Sequence, residues 1–286
     1  MEYVQFGNTG VEVSRIGFGG APAGLRNYLQ PFEPDAPDDR QHILDAIDAA
    51  LESGINYFDT APGYGSGRSE EMLGYALRGH RGQVFLASKA GLCGPDELRR
   101  SVENSLQRLQ TDRLDFLQIH GTSYTDDAVR SVLQRGGMLE QMLRLKEEGL
   151  VRFIGFTSED NNAAVYEFIR SGQFDMMQIC YNVCMQHPYD PNRPFGSMLE
   201  AEKAGMGIAA MRTTSSGLFK RWMNLVDPNN RFDYTRALIQ FVLSNPHVDV
   251  ALIGMRTAGE VRENAAICDD TAGRVNLREL FTYYLQ

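Results

Sequence analysis

Eight short, apolar, β-rich runs recur along the chain, each followed by a stretch with helical periodicity, and this rhythm constrains the fold more than any other feature. The runs are Ile16–Gly19, Ile55–Asp59, Val84–Ser88, Leu114–His120, Val151–Thr157, Met176–Ile179, Gly207–Met211 and Val250–Ile253. Between them Ile43, Ile47, Ala50 and Leu51 fall on one helical face, as do Leu98, Val102, Leu106 and Leu109, and again Met138, Met142 and Leu145. Pro95 followed by Asp96 and Glu97 marks a helix start, Thr257 with Glu260 forms a capping box, and Gly54, Gly149 and Gly205 mark stops. Strands alternating with helices at a spacing of about 25 to 40 residues imply parallel pairing through right-handed crossovers, and eight such units close into a (β/α)8 TIM barrel.

An open doubly wound sheet is the rival architecture. It calls for a G-x-G-x-x-G phosphate loop after its first strand, and Gly17-Phe18-Gly19-Gly20-Ala21-Pro22 ends on Pro22 instead. Ahead of the repeat, Glu2–Phe6 and Val11–Ser14 flank Gly7-Asn8-Thr9-Gly10, which predicts an N-terminal β-hairpin. The 286 residues, 43% of them apolar, suffice for one core, so a single domain spanning 1–286 is expected.

Composition narrows the function. A net charge of −9 offers no basic stripe to nucleic acid or to an anionic membrane surface. No window reaches the roughly 18 apolar residues of a spanning helix, and Met1 leads into Glu2 and Gln5 rather than a basic leader, so a cytoplasmic protein is expected. Cys93, Cys180, Cys184 and Cys268 form no C-x-x-C pair, which argues for reduced thiols and against a metal site.

Four irregular segments, Ala21–Asp38, Gly121–Arg135, Cys184–Pro194 and Arg212–Phe232, each follow the carboxyl end of a predicted strand, the face on which barrel enzymes build their sites. They are expected to form a substrate pocket. Tyr28, Phe32, Tyr124, Tyr189, Phe195 and the single tryptophan, Trp222, lie in or beside them, each as fit to anchor a loop as to touch a substrate.

Polar residues gather at the ends of early strands: Asp59 with Tyr64 just beyond it, Lys89 after Phe85-Leu86-Ala87-Ser88, and His120 after Phe116-Leu117-Gln118-Ile119. Each alone has a structural explanation: a loop cap, a lysine reaching for solvent, a hydrogen-bonded core histidine, a packed tyrosine. Together, on one barrel rim, they favour a shared polar site, because ionisable groups after apolar runs are costly to bury singly.

With these residues in place, Asn56-Tyr57-Phe58-Asp59-Thr60-Ala61-Pro62-Gly63-Tyr64-Gly65 resembles the signature of the aldo-keto reductase superfamily. Ala87-Ser88-Lys89 and Leu117-Gln118-Ile119-His120 resemble its lysine and histidine strands, and Ile154-Gly155-Phe156 and Glu263-Asn264 extend the likeness. The resemblance implies an NAD(P)H-dependent oxidoreductase interconverting a carbonyl and an alcohol, with Tyr64 as general acid or base, Lys89 lowering its pKa, Asp59 holding Lys89, and His120 orienting the carbonyl. A phenol near pKa 10 exchanges protons poorly around neutrality unless a neighbouring ammonium or imidazolium favours its anion.

The resemblance also implies a cofactor site: Gly20 near the first strand end, Thr157 and Ser158 where the family has a Ser-Asn pair, Gln178 as its carboxamide glutamine, and Met211 in place of a stacking tyrosine. Arg212 follows, fit for a pyrophosphate, an acidic substrate group or a plain ion pair. At the tail, Arg256 and the Thr257 hydroxyl would hold a 2′-phosphate and Asn264 the adenine. Glu260 stands where relatives often carry arginine, either closing the capping box or favouring NAD. The expected cofactor is thus NADP, with NAD not excluded. Two other roles remain open: a sugar dehydrogenase working in the oxidative direction, since the tail also resembles galactose-type dehydrogenases, and a redox-sensing regulatory subunit, which the full tetrad and the lack of a segment ahead of the hairpin disfavour.

Overall fold

The computed structural model describes residues 1–189 and 196–283. Strands β3 (Ile16–Gly19), β4 (Tyr57–Asp59), β5 (Phe85–Ala90), β6 (Leu114–Ile119), β7 (Val151–Ser158), β8 (Met176–Cys180), β9 (Gly207–Met211) and β10 (Val250–Gly254) pair in parallel and in sequence order, and β10 closes back onto β3. This is the (β/α)8 barrel that the alternation predicts. Ahead of it β1 (Tyr3–Gln5) and β2 (Glu12–Ser14) pair antiparallel, the predicted hairpin, with the 3₁₀ segment Gly7–Thr9 in its glycine-containing turn.

Outside the strands lie α2 (Pro37–Glu52), α3 (Arg68–Ala76), α4 (Pro95–Leu109), α6 (Met138–Glu147), α7 (Ala163–Arg170), α8 (Ser197–Lys203), α10 (Thr235–Leu243) and α11 (Ala258–Asp269), with the short α1 (Ala21–Gly24) and the tail helix α12 (Leu277–Tyr283). Two further helices, α5 (Asp126–Leu133) and α9 (Leu218–Val226), occupy segments that the sequence pattern leaves irregular. Among the described residues no helix is long and apolar enough to cross a membrane.

Side chains alternate across each strand, and this divides the core in two. Outward residues such as Phe58, Leu86, Leu117, Ile179 and Ile253 pack against the helices. Inward residues Tyr57, Phe85, Phe116, Met176 and Val250 fill the lower barrel together with Phe6 from the hairpin end. Phe6 meets Tyr57 and Phe85 edge-on at centroid distances of 5.5 and 5.6 Å, so the hairpin plugs the amino-terminal end of the barrel with an aromatic cluster. The same parity carried upward puts Asp59, Lys89, Gln118, Thr157, Gln178 and Met211 on the inner face at the carboxyl ends. Apolar below and polar above, the interior offers one place for chemistry.

Candidate functional site

A cavity of about 270 Å³ opens at the carboxyl ends of the strands, and Asp59, Tyr64, Lys89 and His120 all line it. Lys89 is buried on the inner face of β5; its Nζ donates to Asp59 Oδ2 (2.5 Å) and to the Thr60 carbonyl (2.7 Å). Gln118 Nε2 donates to the other carboxylate oxygen of Asp59 at 2.8 Å. Two independent donors thus fix the carboxylate, and the carboxylate fixes the ammonium. Gln118 has no role among the sequence expectations; its parity with His120, which directly follows β6, is the signal that places it inward.

Tyr64 sits on the loop after β4, where backbone packing decides its position. A Cβ on Gly65, which has a φ of +68°, would stand 1.9 Å from the Gly24 carbonyl oxygen, and a Cβ on Gly24 would stand 2.2 Å from that of Tyr64, so only glycines allow α1 to lie against this loop. The arrangement brings the Tyr64 ring over Lys89 Nζ, 4.9 Å from its centroid, and edge-on to His120 at 5.7 Å.

The electrostatics follow from burial. Burial lowers the Lys89 pKa, but the Asp59 carboxylate first and the Tyr64 side chain next outweigh it, so the pKa is raised and the ammonium stays charged. Burial pushes the Tyr64 phenol above its ordinary value, and Lys89 opposes that rise without cancelling it. His120 is driven down to about 4 by burial and then by Lys89. The imidazole is therefore neutral near pH 7, and of the two cations the sequence allows beside Tyr64 only the lysine is present.

The expected cofactor residues divide into three groups. Thr157, Gln178, Met211 and Arg212 line the same cavity as the tetrad. Gln178 is buried, its Nε2 set toward Met211 Sδ at 3.7 Å and its Oε1 without a partner among the described residues. Thr157 Oγ1 already exchanges hydrogen bonds with Gly121, accepting from its N–H (3.0 Å) and donating to its carbonyl (2.7 Å). Arg212 forms the ion pair allowed for it, Nη2 to Glu159 Oε1 at 2.5 Å. Gly20 and Ser158 lie off the cavity wall. Gly20 is constrained by packing, since a Cβ there would meet Ser69 Oγ at 2.6 Å, and the Ser158 hydroxyl, at the end of β7, donates to the Asp160 carbonyl at 3.0 Å.

The third group is at the start of α11. Thr257 Oγ1 accepts from the Glu260 N–H (3.2 Å), while Glu260 Oε2 accepts from the N–H groups of Thr257 (3.1 Å) and Arg256 (2.7 Å). Glu260 closes the capping box and occupies two backbone donors that a phosphate would otherwise use. Arg256 reaches back across the first loop: its guanidinium lies 4.3 Å above the Phe32 ring, Nε donates to the Pro22 carbonyl (3.2 Å), and its buried Nη2 lacks a partner among the described residues. Asn264 is buried one turn beyond Glu260. An unpartnered carboxamide oxygen in the cavity and an unpartnered guanidinium nitrogen behind it suit the two ends of a dinucleotide.

Of the loop aromatics, Tyr28 lines the cavity. Phe32 supports Arg256, Tyr124 is buried and donates to the Thr157 carbonyl (2.7 Å), Tyr189 packs edge-on to Tyr181, and Trp222 lies exposed on α9. Among the described residues the first, second and fourth of the irregular segments line the cavity and the third does not. Phe195 and the end of the Cys184–Pro194 segment lie outside the described residues. Thr122 and Glu159, which the sequence reading does not single out, also line the cavity.

A family model described as the aldo/keto reductase family matches residues 15–238. The chain is 28% identical to L-galactose dehydrogenase of Arabidopsis thaliana, over 93% of this chain and 88% of that protein. It is 27% identical to the aldo-keto reductase YhdN of Bacillus subtilis, over 99% and 93%. The solved structure of an aldo-keto reductase from Klebsiella pneumoniae in complex with NADPH superposes with a TM-score of 0.74 at 23% identity, covering 98% of this chain and 93% of that one, a likeness of fold.

Proposed function

The chain belongs to the aldo/keto reductase family, and from that premise we propose that it interconverts an aldehyde or ketone and the matching alcohol with NADP(H), Tyr64 passing the proton. The observation that carries this reading is the convergence of Tyr64, Lys89, Asp59 and His120 on one cavity, with the Lys89 ammonium beneath the Tyr64 ring. When bound, the dinucleotide supplies or accepts the hydride. Gln178 would hold its carboxamide end and Arg256, with Asn264, its adenosine end. NAD(H) is the alternative that Glu260 keeps open, since its carboxylate fills donors at the α11 start.

The protein's part is to deliver one proton to the carbonyl oxygen. A phenol raised by burial keeps its proton near neutrality, the state that reduction requires, and Lys89 stabilises the phenolate left after transfer. Neutral His120, edge-on to Tyr64, is suited to donate a hydrogen bond to the same oxygen without adding charge. These features favour reduction over oxidation. The test is nicotinamide absorbance followed with NADPH and with NADH against aldehydes, ketones and aldoses, and in reverse with alcohols. Consumption of reduced cofactor by at least one carbonyl, faster than the reverse reaction near pH 7, supports the reading; no turnover with either cofactor overturns it.

A further inference from the structure

Among the described residues two oppositely charged pairs line the cavity, Asp59 with Lys89 and Glu159 with Arg212. Glu159 directly follows β7, and its N–H donates to the Thr122 carbonyl at 2.7 Å. Arg212 directly follows β9 in a left-handed conformation, φ +57°, with its carbonyl accepting from Asn182 Nδ2 at 3.0 Å. The side chains therefore meet from two strands that flank β8. Arg212 Nη2 donates to Glu159 Oε1 at 2.5 Å and Nη1 to Ser216 Oγ at 2.9 Å, while both side chains stay more than a third open to solvent on the cavity side.

We infer that Glu159 is a specificity-determining residue: by neutralising and turning Arg212, it makes the site accept uncharged carbonyl compounds and turn away those that carry a carboxylate. The inference rests on the carbonyl chemistry proposed above. An arginine fork at a pocket wall is the usual dock for a carboxylate, because two parallel N–H donors match its two oxygens. Here Glu159 and Ser216 hold that fork. An incoming carboxylate must displace Glu159 or lie beside it, and the like-charge approach discriminates against it even though the pair has no net charge. Lys89 offers no second dock, since its buried ammonium is already held by Asp59, the Thr60 carbonyl and the Tyr64 side chain. The Tyr28, Thr122 and Ser216 side chains, which also line the cavity, are uncharged and suited to neutral, hydroxyl-bearing groups.

The cleanest test uses two substrates that share an aldehyde and differ in charge and one methyl group, 4-oxobutanoate and its methyl ester, with the full chain and whichever nicotinamide cofactor sustains turnover. The parent protein is expected to favour the ester by tenfold or more in kcat/KM. Glu159→Gln keeps the size and can still accept from Arg212 but removes the charge, so the ratio should fall at least fivefold; adding Arg212→Gln to it should restore the preference. Calorimetry with butanoate gives a readout without turnover: binding at least fivefold tighter in Glu159→Gln than in the parent. A parent that prefers the acid, or a ratio unmoved by Glu159→Gln, overturns the inference while leaving the carbonyl chemistry intact. So does a Glu159→Gln protein in which only the cofactor dissociation constant changes, since the pair would then serve the dinucleotide. Absence of turnover with any carbonyl removes the premise itself.

Discussion

Replacing Lys89 by methionine should destabilise the fold, and the size of the loss is set by what it leaves behind. Lys89 and Asp59 are both almost wholly buried, with Nζ 2.5 Å from Oδ2. Removing one member of such a pair strands a charge in a poorly solvated interior and typically costs about 3 to 5 kcal/mol, whereas replacing both by neutral groups of similar size is often near neutral. Lys89→Met and Asp59→Asn should therefore each lose about 3 kcal/mol or more, while the double variant falls within about 2 kcal/mol of the parent, a coupling far above the roughly 0.5 kcal/mol expected of independent sites. Urea denaturation of the four proteins at pH 7.5 gives the cycle. A second readout comes from His120, whose pKa of about 4 is depressed by burial first and by Lys89 second. Because the Lys89 charge is the second cause of that depression, Lys89→Met should raise the His120 pKa in an NMR titration. Additive stability losses, or an unmoved His120, would refute the account of this pair.

Arg256→Ala should weaken NADPH by about 1.5 to 3 kcal/mol and NADH by less, measured by fluorescence quenching, because a charge-assisted contact is lost only where a 2′-phosphate is present. Equal weakening would remove Arg256 from that role. Glu260→Gln should leave the ratio of NADPH to NADH affinity within fivefold of the parent, since a glutamine oxygen can still cap the N–H groups of Arg256 and Thr257; a larger, salt-sensitive shift toward NADPH would show the carboxylate facing the ribose. For His120, a folded pKa below the unfolded value means the unfolded chain takes up the proton first. Its contribution to stability is present above about pH 6.5 and is lost as pH falls toward about 4, by about 2 kcal/mol once partial exposure is allowed for. The difference between pH–stability curves of the parent and His120→Asn isolates this limb, and parallel curves would contradict it.

The sequence carries the barrel clearly because every strand is short, apolar and followed by a periodic helix. The parity of inward residues even orders the site: Phe85, Ala87 and Lys89 run up one face of β5, and Phe116 and Gln118 up the corresponding face of β6, with His120 next beyond its end. What escapes is whatever depends on contacts between loops. Helix α5 begins with Thr125 as its cap and Asp126 and Asp127 in its first turn, signals present in the sequence but attached to only eight residues. Helix α9 has an amphipathic pattern yet buries none of its residues, so no core demands it. Glu159 carries no local mark at all. Its meaning arises when β7 and β9 bring it to Arg212, a juxtaposition that no linear spacing encodes. Phe32 and Tyr124 likewise look like pocket rings until packing turns them into supports for Arg256 and Thr157.

The most direct test of the central claim is Tyr64→Phe, which deletes one hydroxyl and keeps the ring over Lys89. Steady-state turnover with a carbonyl that the parent reduces, and the dissociation constant of the reduced dinucleotide, are measured side by side. If Tyr64 passes the proton, kcat falls by about 10² to 10⁴ while cofactor affinity stays within about twofold, because the lost group serves the transition state and not dinucleotide binding. A fall of less than tenfold in kcat, or a matching loss of cofactor affinity, would contradict it.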